Sequence, residues 1–430
     1  MFPARSVCIA IVVTMSVVSS SASAFASPHP FQQTATTRLA VHKPQSGDRT
    51  GSAVSTSGDL LLLGSPGFGA SSSGGGKAML FTWIGTTWGV PRGLSDVGVR
   101  TGDAFGQSVS IGGDSFIVIG SPRADALASN LSEDQGAAYI YRKTESEWPL
   151  VSRETWGAQP GDWTGTSVAC FNGTSAAVGA PGRDLPGKPN AGIVRTFSAL
   201  KSSVYSLGSL SSPDPQVGGN FGWALAAGVD PAGLMLVVGA PGQTVQGLNS
   251  GAAYVFIRLD GTWSLQATLL HPNPVTSGLF GHSVALLGNW VAIGAPQTTA
   301  AGATTPGSVC VFKRSGSTWA LDAVLSPSDT TPGPGFGRSV LIRDNPLFFV
   351  VGAHAQANWM NETPSGGSAG AVYFFAKLSN VWTQTSKLIG DGGTRDNFGW
   401  CLGYAHAKTL IGAPWMDLPS KPLSGALYVH

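Results

Sequence analysis

Apolar and polar positions along this chain fall into short strand-like segments, not helical ones. Ser115-Phe-Ile-Val-Ile-Gly120 is continuously apolar, as expected of a strand buried on both faces. The segment before it, Gln107-Ser-Val-Ser-Ile111, alternates, as expected of a strand with one buried face. Residues 137–141 and 148–153 add two further strands. Past the leading segment, no stretch of about 12 residues keeps a convincing helical period. The four-strand pattern then repeats. A Gly-Ala-Pro tripeptide or close variant ends the apolar run at Gly64-Ser65-Pro66, Gly120-Ser121-Pro122, Gly179-Ala180-Pro181, Gly239-Ala240-Pro241, Gly294-Ala295-Pro296, Gly352-Ala353-His354 and Gly412-Ala413-Pro414, at spacings of 55 to 60 residues.

A fixed period of this size means a repeat architecture. Other columns keep the same phase. Phe-Gly precedes the run at Phe105-Gly106, Phe221-Gly222, Phe280-Gly281, Phe336-Gly337 and Phe398-Gly399, while Thr50-Gly51 and Thr164-Gly165 keep only the glycine. A glycine opens the third strand, as in Gly251-Ala-Ala-Tyr-Val-Phe256 and Gly425-Ala-Leu-Tyr-Val-His430. A tryptophan follows on the fourth strand at Trp88, Trp148, Trp263, Trp319 and Trp382. Asp260-Gly261 between third and fourth strands suits a hairpin turn that needs positive φ. Four antiparallel strands per repeat describe one propeller blade. Glycine marks the strands where backbones crowd at the axis, and aromatics fill the wedges between blades.

The seventh repeat stops on its third strand at His430. The segment from Gln33 to Val41 reads as the missing outer strand, which removes an open sheet edge. The expected fold is therefore all-β: a seven-bladed β-propeller of four-stranded antiparallel blades, closed by an N-terminal strand that completes the last blade. A linear array would leave its end blades uncovered.

Composition narrows the setting. Residues 1–26 read as a signal peptide, with Arg5, an apolar stretch over 7–18 and cleavage after Ala24 or Ala26, leaving 27–430 as a single propeller. No later segment is long and apolar enough for membrane insertion. The net charge of +2 makes no case for nucleic acid. Cys170, Cys310 and Cys401 lie in different repeats and read as buried thiols, not a disulfide framework. Sequons at Asn130, Asn172 and Asn361 fit a glycosylated extracellular product.

Together, Phe-Gly, the apolar run, Gly-Ala-Pro, the glycine-led third strand and the spaced tryptophan resemble the FG-GAP repeat family, best known from the propeller heads of integrin α chains. The shorter repeats of secreted microbial and protist proteins are the nearer likeness. The integrin-type Asp-x-Asp-x-Asp-Gly calcium loop has no counterpart here; Gly228-Val-Asp-Pro-Ala-Gly-Leu234 offers one carboxylate, and calcium takes six to eight oxygens. No metal and no cofactor are expected.

The resemblance implies that ligands contact the face carrying the loops between second and third strands. These loops vary in length and residues, as recognition loops on a rigid scaffold do. On them we single out Arg123, Asp125, Glu133 and Asp134 in the second, His354 and Trp359 in the sixth, and Trp415 and Asp417 in the seventh. An exposed Trp among polar groups suits a sugar or a protein anchor; a Trp folded on its own blade edge is the alternative. Asp48, Asp103, Asp162 and Asp396 recur before the first strand, where Asp caps its own turn. His282 and His406 read as satisfied core histidines. No Gly-x-Ser-x-Gly elbow and no histidine pair at metal spacing occurs. The expected function is binding of an extracellular protein or glycan. A hydrolase or lyase at the channel mouth and a passive surface component stay open as alternatives.

Overall fold

The computed structural model describes residues 31–34, 37–39, 44–67, 74–94, 98–125, 133–200, 203–231, 233–296, 307–329, 335–344, 346–354, 370–391 and 396–430. The expected leader, Asn130, Trp359 and Asn361 lie outside these residues.

Seven antiparallel four-stranded sheets form the fold, and no helix occurs among the described residues. Blade two is typical. Its strands Ser108–Gly112, Phe116–Ser121, Ala137–Arg142 and Leu150–Glu154 pair in sequence order. First strands touch the first strands of both neighbouring blades all the way around, including the seventh against the first, so they are the innermost. The second and third strands are almost wholly buried. Apolar clusters fill the wedges between adjacent blades.

The ring closes through the same contact that joins its blades. A parallel bridge links the glycine opening one blade's third strand to the Phe position of the next, as in Gly136 with Thr164 and Gly251 with Phe280. Gly425 of blade seven makes this bridge with Thr50 of blade one. The N-terminal segment completes the last blade: Thr37–Arg38 pairs antiparallel with Ala426–Val429, and the Leu39 N–H donates to the Leu427 carbonyl. The expected span needs correcting. Gln33 lies in Phe31–Thr34, which runs parallel to Val381–Ile389 as a fifth strand of blade six. One leading segment thus staples the edges of two blades. Arg38 anchors it by pairing with Asp391, 2.8 Å away.

The repeated residues have mechanical reasons. Each Phe-Gly glycine sits near φ +90°, open to glycine at little steric cost, and its N–H donates to the Gly-Ala-Pro glycine of the same blade, as Gly106 does to Gly120. The Gly-Ala-Pro glycine meets the Phe-Gly carbonyl of the next blade. A Cβ on Gly120 would collide with the Gly165 oxygen, and one on Gly412 with that of Gly51. The Phe ring packs edge-on against the third-strand tyrosine of its own blade, Phe105 on Tyr139 at 4.9 Å and Phe398 on Tyr428 at 5.1 Å. Outer-strand tryptophans clamp the preceding blade: Trp263 Nε1–H donates to Thr196, Trp319 to Gln266 and Trp382 to Asp322. A bulge opposite the fourth strand recurs at Ile140/Tyr141, Thr196/Phe197, Val255/Phe256, Val311/Phe312 and Phe374/Phe375, increasing local twist. Asp260 and Gly261 both take positive φ at their hairpin, as the turn requires. Cys170, Cys310 and Cys401 are free thiols, and burial pushes each up to about 12.

Candidate functional site

The first strand begins at the same end as the loops between second and third strands, because Ser108 pairs with Gly120 at the Gly-Ala-Pro end. The residue just after each Phe-Gly therefore stands at the axis on the loop-bearing face. In blades one to three this position holds Ser52, Gln107 and Thr166; in blades four to seven it holds Trp223, His282, Arg338 and Trp400. Its backbone is fixed by a turn in which the N–H bonds to the carbonyl three residues back, as from Gln107 to Ala104, His282 to Leu279 and Trp400 to Asn397. The accepting residue takes positive φ in every blade: Arg49, Ala104, Trp163, Asn220, Leu279, Gly335 and Asn397.

Blades four to seven gather aromatic and basic groups at this channel mouth. Trp223 lies 5.8 Å from His282, ring centre to ring centre. His354, which replaces the proline of Gly-Ala-Pro, stacks on Trp400 at 4.5 Å with planes 30° apart. His354 is only 3% exposed, and its Nδ1 has no hydrogen-bond partner. Burial first, then Arg338 and His282, hold His354 well below the usual histidine range. His282 falls to about 3, chiefly by enclosure and secondarily through Arg338. His282 is partly exposed to solvent along the channel, yet protein surrounds it closely enough to disfavour its charge. Burial lowers Arg338 to about 10, which leaves it charged at neutral pH. One guanidinium and two neutral imidazoles thus share the site, and Arg338 acts on both rings with the same sign.

The other singled-out residues lie elsewhere. Asp125 closes the second loop by accepting the N–H groups of Glu133 and Asp134. Arg123, Glu133 and Asp134 are partly exposed near the next blade, where the Glu133 and Asp134 carbonyls accept from Gly161 and Trp163. Burial raises the Asp134 carboxyl, opposed by Arg123. Trp415 is not exposed: it is 4% accessible beneath the Arg49 guanidinium of blade one, 5.1 Å away. Its indole seals the ring instead of facing solvent. Asp417 is exposed but accepts the Leu423 N–H to close its loop. Asp184 does the same for Asn190 in blade three. These two loops share the pattern Asp-Leu-Pro-x-Lys-Pro at 184–189 and 417–422, a second internal repeat that the search for strand columns misses. Asn172 uses its Oδ1 to hold the N–H groups of Thr174 and Ser175 in a turn.

Asp48, Asp103 and Asp162 accept the N–H of the residue three before them, capping their turns. Lys77 and Arg183 pair with Asp48 and Asp162. A polar cavity of about 100 Å³ beside Asp48 and Lys77 has room for a few waters, far less than an organic ligand needs. Among the described residues, no three His, Cys, Asp or Glu side chains gather as metal ligands do.

Four stretches, 89–141, 207–256, 263–312 and 382–430, match the FG-GAP repeat model. The chain is an FG-GAP repeat protein. Three of the FG-GAP matches, those from 207, 263 and 382, start on the outer strand of one blade and end on the third strand of the next. The sequence repeat is therefore offset from the blade by one strand, the offset that the N-terminal strand resolves. No curated protein matches the chain.

Proposed function

We propose that this FG-GAP propeller is an extracellular binding module that recognises a protein or glycan through its loop-bearing face. The observation that carries this reading is the channel mouth, where Trp223, His282, Arg338, His354 and Trp400 stand on an otherwise repetitive ring. Aromatic and Arg side chains are the residue types that dominate binding energy. No helix among the described residues is long and apolar enough to cross a membrane. Secretion through residues 1–26, adhesion and glycosylation at Asn172 belong to the same proposal.

The test is an array of glycans and extracellular proteins probed with purified residues 27–430. The expected result is a specific ligand whose binding disappears when Trp223 and Trp400 are both replaced by alanine in a chain that still unfolds cooperatively. Retention of every signal by that variant, or no ligand at all, contradicts the reading.

A further inference from the structure

The end of the propeller opposite the loops carries its own pattern. We infer that this end is an interface between two copies of the chain, stacked back to back about a two-fold axis, with blade one of each over blade six of the other and blade three over blade four. The inference is independent of any ligand, since it concerns the other end of the ring.

The third strand of each blade runs from the loop-bearing end to the opposite one: Ala252 pairs with Ala240 of Gly-Ala-Pro, and Leu259 pairs with Thr262 across the closing hairpin. The strand tip falls three residues after its last aromatic, as Leu259 follows Phe256. In blades one, three, four and six the tip is Ile84, Leu200, Leu259 or Leu378, each between 39% and 64% exposed. In blades two and five it is Thr144 or Ser315. A lone exposed leucine needs no explanation. Four aliphatic tips at equivalent positions, however, stand at one level on one end of a rigid ring.

Their arrangement around the ring is self-complementary. A two-fold axis across this end reverses the order of the blades in the facing copy. Of the seatings that lay blade on blade in a ring of seven, only one sets every aliphatic tip on another. It places one over six, three over four and two over five, with blade seven facing itself. Every other seating sets at least one aliphatic tip on a polar blade or on blade seven. The same seating matches charge. At this end blade two exposes Asp114, Lys143 and Glu145, a net negative set, and blade five exposes Lys313. A lipid surface would instead draw a basic rim, whereas acids at Asp59, Asp114, Glu145 and Asp260 are exposed here among the bases. Back-to-back pairing leaves both loop-bearing faces outward, so a ligand on one surface could be held by two sites at once.

The experiment is sedimentation equilibrium of purified residues 27–430. The chain is made in bacteria, because Asn172 lies in the turn between first and second strands on this face, and a glycan there and the pairing exclude one another. The expected result is a dimer. Leu200→Asp/Leu259→Asp is expected to weaken it at least about a hundredfold, since a two-fold interface carries each change twice. Both side chains are exposed in the single ring, so the variant should keep its unfolding curve. Leu265→Asp/Leu321→Asp, at exposed outer-strand positions between the two ends, should leave the dimer intact. The seating is read with a short bismaleimide on mixed chains, each given one surface cysteine. Leu200→Cys with Leu259→Cys, and Ile84→Cys with Leu378→Cys, should join as covalent dimers; Leu200→Cys with Leu378→Cys should not. A monomer at every concentration up to about 100 μM, a dimer that survives the aspartate pair, or cross-linking of the wrong pair overturns the inference. So does a monomer that binds phosphatidylcholine–phosphatidylserine vesicles through the same leucines. The dimer is read without a ligand, so an array without signal leaves it standing, and a monomer leaves the binding reading standing.

Discussion

The two halves of the channel mouth share one backbone and differ in almost everything else. In blades one to three the axial residue is Ser52, Gln107 or Thr166, and the turn before it is capped by Asp48, Asp103 or Asp162. In blades four and five the capping position holds Gly219 and Gly278, whose N–H groups close the turn with backbone carbonyls alone. The axial positions of blades four to seven then carry Trp223, His282, Arg338 and Trp400. The left-handed residue and the inter-blade glycine contact are common to both halves. The scaffold is thus fixed by glycines and main-chain bonds, which frees the axial side chain to differ from blade to blade without disturbing the ring. Chemistry is written on one half only.

The largest expected effect removes what the halves share. Gly120→Val and Gly294→Val each drive a side chain into the carbonyl of the next blade, Gly165 or Gly337. Each is expected to destabilise by at least about 3 kcal/mol in urea unfolding, or to prevent folding. A loss in one half but not the other would break the idea of a common scaffold.

Next comes the capped half. Asp162 is 2% exposed, accepts the Gln159 N–H and pairs with Arg183. Asp162→Ala leaves the Gln159 N–H without its acceptor and Arg183 with the Gly157 carbonyl but no carboxylate, at a cost of about 2 to 3 kcal/mol. Thermal and urea unfolding check it, and the His282 and His354 resonances should stay in place because they sit in the other half.

The pH response should come from the aromatic and basic half. His282 titrates at about 3 in the folded chain, against 6.5 for an ordinary histidine. His354 is lowered as well. Between those values the unfolded chain binds protons that the folded one refuses, so stability falls as pH drops below 6.5. His282 alone should account for about 2 kcal/mol of loss by pH 5. His282→Gln should flatten that part of a pH series of unfolding curves; an unchanged slope would remove His282 as its source. The smallest effect lies at the outer rim, far from either half. Trp382→Phe removes the indole N–H donated to Asp322 at 2.6 Å and should cost about 1 kcal/mol without altering ligand binding.

The fold was legible because it is built from columns that repeat: Phe-Gly, Gly-Ala-Pro, the third-strand glycine and the outer tryptophan. Each column marks a steric demand met in every blade or nearly every one. Closure was legible for a related reason, since a missing outer strand leaves a gap that only one free segment fills. The division of that segment between blades six and seven was not, because a parallel pairing at a sheet edge has no side-chain signature. The left-handed residue escaped notice since Arg49, Ala104, Trp163, Asn220, Leu279 and Asn397 share no chemistry, and their φ is imposed by the turn. Whether Trp415 is exposed stayed open in the sequence because its cover, Arg49, lies far away along the chain. The channel mouth did leave a signal. Reading the column after Phe-Gly down the seven repeats lines up Trp223, His282, Arg338 and Trp400, but the value of that column emerges only once the first strand is known to be innermost. His354 marked itself by standing where six repeats have proline.

The most direct test of whether the two halves divide scaffold from recognition is an array of glycans and extracellular proteins probed with the Trp223→Ala/Trp400→Ala double variant beside the parent chain. Our account predicts that the ligand bound by the parent no longer binds a variant that keeps its cooperative unfolding and its size in solution. Undiminished affinity in the folded variant, or a variant that no longer assembles the ring, would contradict it.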